Sequence, residues 1–144
     1  MRFQEYVEDQ VFHRRVIADG LRAIREAQPL GRPMQPLTLC CYEVDVEPVF
    51  DALDEERQRE SEVTESDLVC PNWESDMLAG GVPASQAIAD RLIASGYAAM
   101  RVGSFAAGAS ADDLNLVMWR WGTERPARVV LIDDEGRLSR SARR

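Results

Sequence analysis

Leu37-Thr38-Leu39-Cys40-Cys41-Tyr42-Glu43-Val44-Asp45-Val46 begins as a continuous apolar run and ends in alternation. That is the pattern of a strand buried first on both faces and then on one. Pro48 closes it. Toward the N-terminus, Val16, Ile17, Leu21, Ile24 and Ala27 recur at three- and four-residue intervals, which predicts an amphipathic helix from Val16 to Gln28 stopped by Pro29 and Gly31. Ahead of it, Met1 to Arg15 has mixed charge and weak periodicity and reads as an extension of that helix or as its frayed end.

Toward the C-terminus, Asp51 to Ser66 is dominated by Asp, Glu, Arg and Gln and reads as an exposed acidic helix or loop. Trp73, Met77 and Leu78 share a short helical face before Gly80-Gly81. Pro83 to Gly96 has Pro and Ser at its start, a run of good helix formers and a terminal Gly, the signature of a complete helix. Tyr97 to Val102, Leu114 to Trp121 and Arg128 to Asp133 read as strands, with a small-residue loop from Gly103 to Asp113 between the first two. Arg137 to Arg144 reads as a mobile basic tail. Helices and strands alternate without a regular βαβ rhythm, so the expected fold class is α+β, a single domain over residues 1–144 with a mixed β-sheet flanked by helices.

Composition narrows the function classes. A chain of 144 residues, 45% of them hydrophobic, can bury one core. Its 25 acidic against 17 basic side chains argue against the nucleic-acid backbone as a partner, because phosphate contacts need a basic face. No apolar run approaches the roughly 20 residues of a membrane helix, and Met1-Arg2-Phe3-Gln4-Glu5 has no signal-peptide core, so a cytoplasmic protein is expected. Three cysteines, Cys40, Cys41 and Cys70, with two of them adjacent, make a poor disulfide framework. With His13 the only histidine, a His-based zinc site or a Ser-His-Asp triad would rest on a single unsupported residue, and no metal is expected.

The residues open to chemistry are few. Glu26 sits near the apolar stripe of the first helix, as a helix-end ion-pair partner or as a catalytic carboxylate. Ser104 ends a strand and enters Gly103-Ser104-Phe105-Ala106-Ala107-Gly108, where a hydroxyl serves either an ordinary turn or a phosphate or ribose. Asn115 either caps that loop or lines a site. Arg101 and Arg120 either solubilise the surface or supply positive charge to a pocket. Trp119 and Trp121 share one face of their strand, as packing residues or as a stacking platform.

In order and spacing, Pro36 to Asp45, Pro83 to Gly96, Val102-Gly103-Ser104-Phe105 and Asn115 to Gly122 resemble the RES-domain family, most strongly over residues 36–134. The resemblance implies a fold similar to that of ADP-ribosyltransferases and the activity of a toxin from a bacterial toxin-antitoxin pair that degrades NAD⁺. Ser104 matches the family serine, with Gly103 where proline is common, and Glu26 matches the family glutamate. Family members usually carry a Tyr-Arg pair and a Gly-Gly-Arg segment ahead of this helix. Here that region is short, Arg2-Phe3 is followed by no Asn, Pro or Gly, and no position is assigned the family arginine.

The implied reaction takes NAD⁺ as substrate, with no further cofactor, and cleaves its nicotinamide-ribose bond by phosphorolysis or hydrolysis. Glu26 would stabilise the ribosyl cation, Ser104 would hold ribose or phosphate, and Asn115 and Arg101 would complete the binding site. The implied partner is a small antitoxin that blocks the pocket. The other readings are a catalytically deficient RES-like fragment serving as an interaction module, or an unrelated α+β binding domain.

Overall fold

The computed structural model describes residues 6–8, 11–16 and 40–138. Strands β1 (Tyr6–Glu8), β2 (Val11–Val16), β3 (Cys41–Val46) and β7 (Ala127–Ile132) form an antiparallel sheet in the order β1-β2-β3-β7. Strands β4 (Val49–Asp51), β5 (Ala99–Gly103) and β6 (Leu114–Met118) form a second sheet in the order β4-β5-β6, parallel between β4 and β5 and antiparallel between β5 and β6. Helices α1 (Glu55–Glu60), α2 (Glu65–Val69), α3 (Trp73–Leu78) and α4 (Ala84–Ala94) connect β4 to β5. The fold is α+β, with one antiparallel and one mixed sheet.

Alternation along the strands builds two cores. On β3, Val44 and Val46 are buried, and with Val49, Ala98, Ala99 and Ala127 they fill the space between the sheets. Glu43 and Asp45, on the other face of β3, form ion pairs with Arg128 and Arg125. Within the second sheet, Val49 and Ala99 face the first core, while Phe50, Met100 and Val102 turn to a second core closed by Ile88 and Leu92 of α4. Helix α4 ends as its glycine predicts. Gly96 has φ +95°, its N–H donates to the Ile93 carbonyl, and the Tyr97 N–H donates to that of Leu92, the paired bonds of a Schellman cap.

Several expectations change. The region before the first helix is neither helical nor frayed where it is described: Tyr6–Glu8 and Val11–Val16 are strands, and Val16, taken as the first residue of the helix, ends β2. Pairing with β3, from Phe12 opposite Val46 to Val16 opposite Tyr42, decides the conformation of β2. Ile17 to Gln28 and Leu37 to Leu39 lie outside the described residues, as do positions 139–144 of the basic tail. Strand β4 was not expected; it is three residues long and exists by pairing with β5, some fifty positions on. The strand read as Leu114 to Trp121 stops at Met118, because the N–H groups of Trp119 and Arg120 both turn to the Ala98 carbonyl. The two tryptophans therefore do not share a face: Trp119 packs on the second core and Trp121 is exposed. Helix α3 forms where expected, but none of its residues is buried.

Candidate functional site

Of the described candidates, Ser104 lies at the end of β5 and Asn115 beside it on β6. Ser104 follows the last residue of β5 and is half-buried. Its N–H donates to the Asp113 carbonyl at 2.7 Å, closing the loop at its base. Its Oγ accepts the Ala106 N–H at 3.2 Å, a serine turn that bends the chain away from the sheet. At the far side, the Asp113 carboxylate accepts the N–H and hydroxyl of Ser110 at 2.8 and 3.1 Å, and the Asp113 N–H donates back to the Ser110 carbonyl. Gly108, at φ +81° and with open space where a Cβ would be, supplies the left-handed turn between them. The loop from 104 to 113 is thus fixed by its own hydrogen bonds, with Phe105 exposed beside the serine.

The register separates the remaining candidates. Asn115 lies opposite Val102, and Arg101 opposite Leu116. Since neighbouring strand positions alternate faces, Asn115 shares the face of the buried Val102, whereas Arg101 lies on the face that packs against the antiparallel sheet. Arg101 is also paired with Asp51 of β4, directly across the parallel ladder. Its Nε donates to Oδ1 at 3.2 Å and its Nη2 to Oδ2 at 2.7 Å, a two-pronged contact between half-buried groups. Arg120 is exposed, and its Nη2 donates to the Gly96 carbonyl at 3.2 Å, next to the end of α4. Glu26 lies outside the described residues.

Two residues at this end of the sheet escaped the sequence reading. Asp51 stood at the edge of a segment read as solvated acid, and nothing local tied it to Arg101. Asp113 left a signal: Ser110 and Asp113 bracket the end of a Gly- and Ala-rich loop, the spacing of a serine-to-carboxylate closure. Elsewhere, a cavity of about 330 Å³ is lined by residues 60–63 and by Ile88, Arg91, Leu92, Ser95 and Tyr97; it contains none of the candidates. Among the described residues no group of three or more His, Cys, Asp or Glu is placed to hold a metal ion, and no helix is long and apolar enough to cross a membrane.

An antiparallel sheet stacked on a mixed sheet, with helices behind it and a serine-bearing loop at the end of the central strand, defines an α+β protein whose candidate site is built on β5. The chain belongs to the RES-domain family: the sequence profile described as RES domain matches residues 16–141, a span that contains Glu26, Arg101, Ser104 and Asn115. Searches of curated proteins and of solved structures returned no match.

Proposed function

We propose that this chain is an NAD⁺-degrading enzyme that cleaves the nicotinamide-ribose bond. Nicotinamide leaves with the electron pair of the C–N bond, and water or inorganic phosphate attacks the anomeric carbon left behind. Positive charge builds on the ribose ring, and Glu26 stabilises it electrostatically. Ser104 holds a ribose hydroxyl or a phosphate oxygen and Asn115 adds a polar contact, whereas Arg101, turned to the opposite face and paired with Asp51, braces the strands behind the site. The enzyme works in the cytoplasm as a toxin, held in check by a small antitoxin that covers the pocket.

Membership of the RES-domain family, over a match that includes both Glu26 and Ser104, carries this reading. The fixed loop around Ser104 supports it physically, since a binding hydroxyl contributes most when its position is set before the substrate arrives. The test is the cellular NAD⁺ level on expression of wild type, Glu26→Ala and Ser104→Ala. Wild type should deplete NAD⁺ and both variants should spare it; equal depletion, or none by wild type, rejects the reading. Phosphate in the assay separates the acceptors, because hydrolysis yields ADP-ribose and phosphorolysis its 1″-phosphate.

A further inference from the structure

Helix α3 is an ordered helix with no buried residue. Its C-terminus is closed by a full Schellman cap: Gly80 has φ +79°, its N–H donates to the Met77 carbonyl at 3.0 Å, and the Gly81 N–H donates to that of Asp76 at 2.8 Å. A methyl group at Gly81 would come within 3.2 Å of the Asp76 oxygen, so the turn is tight as well as bonded. The segment is held at both ends, by Cys70 on one side and Pro83 on the other, both buried, and every residue from 71 to 82 between them is exposed. Large apolar side chains dominate this projection. Trp73 is 52% exposed, Met77 53%, Leu78 86% and Val82 66%. Trp73 and Met77, four positions apart, form a stripe along one side of the helix. Large exposed apolar groups close together in sequence on a capped element are the raw material of a contact surface.

The charge of this region identifies the contact. From Glu60 to Asp90 the chain carries seven carboxylates, Glu60, Glu62, Glu65, Asp67, Glu74, Asp76 and Asp90, and not one Lys, Arg or His. The rest of the chain holds 18 acidic against 17 basic side chains, and among the described residues Glu62 is paired with Arg91, just beyond the window. Two of these carboxylates, Glu74 and Asp76, lie on α3 itself, interleaved with Trp73 and Met77. A second copy meeting this face with its own would bring two sets of like charges together. Nucleic acid and anionic membrane are repelled by the same sign. A cationic polypeptide is attracted, and an amphipathic helix offers the complement of α3, an apolar stripe at the same spacing flanked by Lys or Arg rather than by carboxylates.

We propose that α3 and its flanking turns are a docking surface for a cationic amphipathic helix of another protein. Apolar residues of that helix cover Trp73 and Met77, and its cations reach Glu74 and Asp76. The inference is independent of the proposed NAD⁺ chemistry, because no residue of this face belongs to the candidate site on β5.

The experiment titrates the whole protein with a labelled synthetic peptide of Leu and Lys in a helical heptad pattern, followed by fluorescence anisotropy. A peptide with Glu in place of Lys is the control. Saturable binding of the cationic peptide is expected, and none of the anionic one. Trp73→Ser with Met77→Ser, and separately Glu74→Lys with Asp76→Lys, should each weaken binding at least about tenfold. Glu124→Lys with Asp134→Lys makes the same change of charge at exposed positions away from the face and should leave binding unchanged. Because α3 contributes no buried residue, Trp73→Ser with Met77→Ser should keep the wild-type circular dichroism and Tm, as should the exposed Glu124/Asp134 pair; Glu74→Lys with Asp76→Lys places cations in the first turn of α3, so its circular dichroism is matched to wild type before its binding is compared. Equal weakening by the Glu124/Asp134 pair would reduce the effect to bulk charge and overturn the proposal. Undiminished binding by both face variants would overturn it too, as would a dimer in light scattering that Trp73→Ser with Met77→Ser dissociates.

Discussion

Arg101 and Asp51 stand directly opposite each other on parallel strands, and the guanidinium of one meets both carboxylate oxygens of the other. The same carboxylate accepts the Leu53 N–H at 3.0 Å, so one side chain holds the arginine and starts the turn that leads from β4 toward α1. The pair extends the inter-sheet core at its polar end, where removing one member leaves the other half-buried with its charge poorly solvated.

Asp51→Ala is therefore expected to cost about 1–3 kcal/mol, measured by urea denaturation. In a double-mutant cycle with Arg101→Ala, the double variant should lose less than the sum of the single ones. Additive losses would show that the two side chains act independently despite their geometry.

The loop that carries Ser104 is closed by the Asp113 carboxylate on Ser110. Asp113→Ala should open this closure and raise the rate of limited proteolysis between residues 104 and 113. Gly108→Ala should act on the same loop through the backbone alone, at about 1 kcal/mol, because an alanine at φ +81° is strained even with open space around it. An unchanged cleavage rate in Asp113→Ala would mean that the loop is held from elsewhere.

Tyr42, 41% exposed, adds a small alkaline dependence to stability. Slight desolvation first, and the neighbouring Cys40 second, raise its phenol above the ordinary value of 10.0. Above that value the unfolded chain has released the proton that the folded chain retains. The unfolded state then binds fewer protons, and stability falls as pH rises through 10.0 and the folded-state value above it. Below 10.0 this contribution is fully present. Tyr42→Phe should reduce the alkaline loss in urea midpoints, and an unaltered slope would assign that loss to other groups.

Phe50 and Trp73 should respond very unequally to truncation although both are large aromatics. Phe50 is fully buried in the second core and meets the Tyr97 ring edge-on at 5.4 Å, so Phe50→Ala should cost about 3–5 kcal/mol. Trp73→Ala, on a helix with no buried residue, should stay within about 0.5 kcal/mol of wild type. A large loss at Trp73 would show that α3 is packed in solution.

What was legible in the sequence was legible because it was local. The alternation of Val44 and Val46, the Ile88/Leu92 spacing and the Gly96 stop each depend on neighbours within about one helical turn, and the structure repeats them. The β2 and β4 strands were not legible, because each owes its conformation to a partner far along the chain. Trp119 and Trp121 misled for a related reason: their alternation is real only while the ladder continues, and the Ala98 carbonyl ends it.

Of the candidate site, the sequence located Ser104 at the junction of a strand and a small-residue loop, and Asn115 on the strand beyond it. It also located an acidic, exposed stretch from Asp51 to Ser66, a matter of composition alone. Only the tertiary structure decided that Arg101 and Asn115 face opposite ways, that Asp51 reaches Arg101 across fifty positions, and that Trp73 and Met77 are exposed among the described residues. Local patterns are written by backbone geometry over a few residues, whereas faces, partners and exposure depend on which distant element supplies the hydrogen bonds and the packing surface.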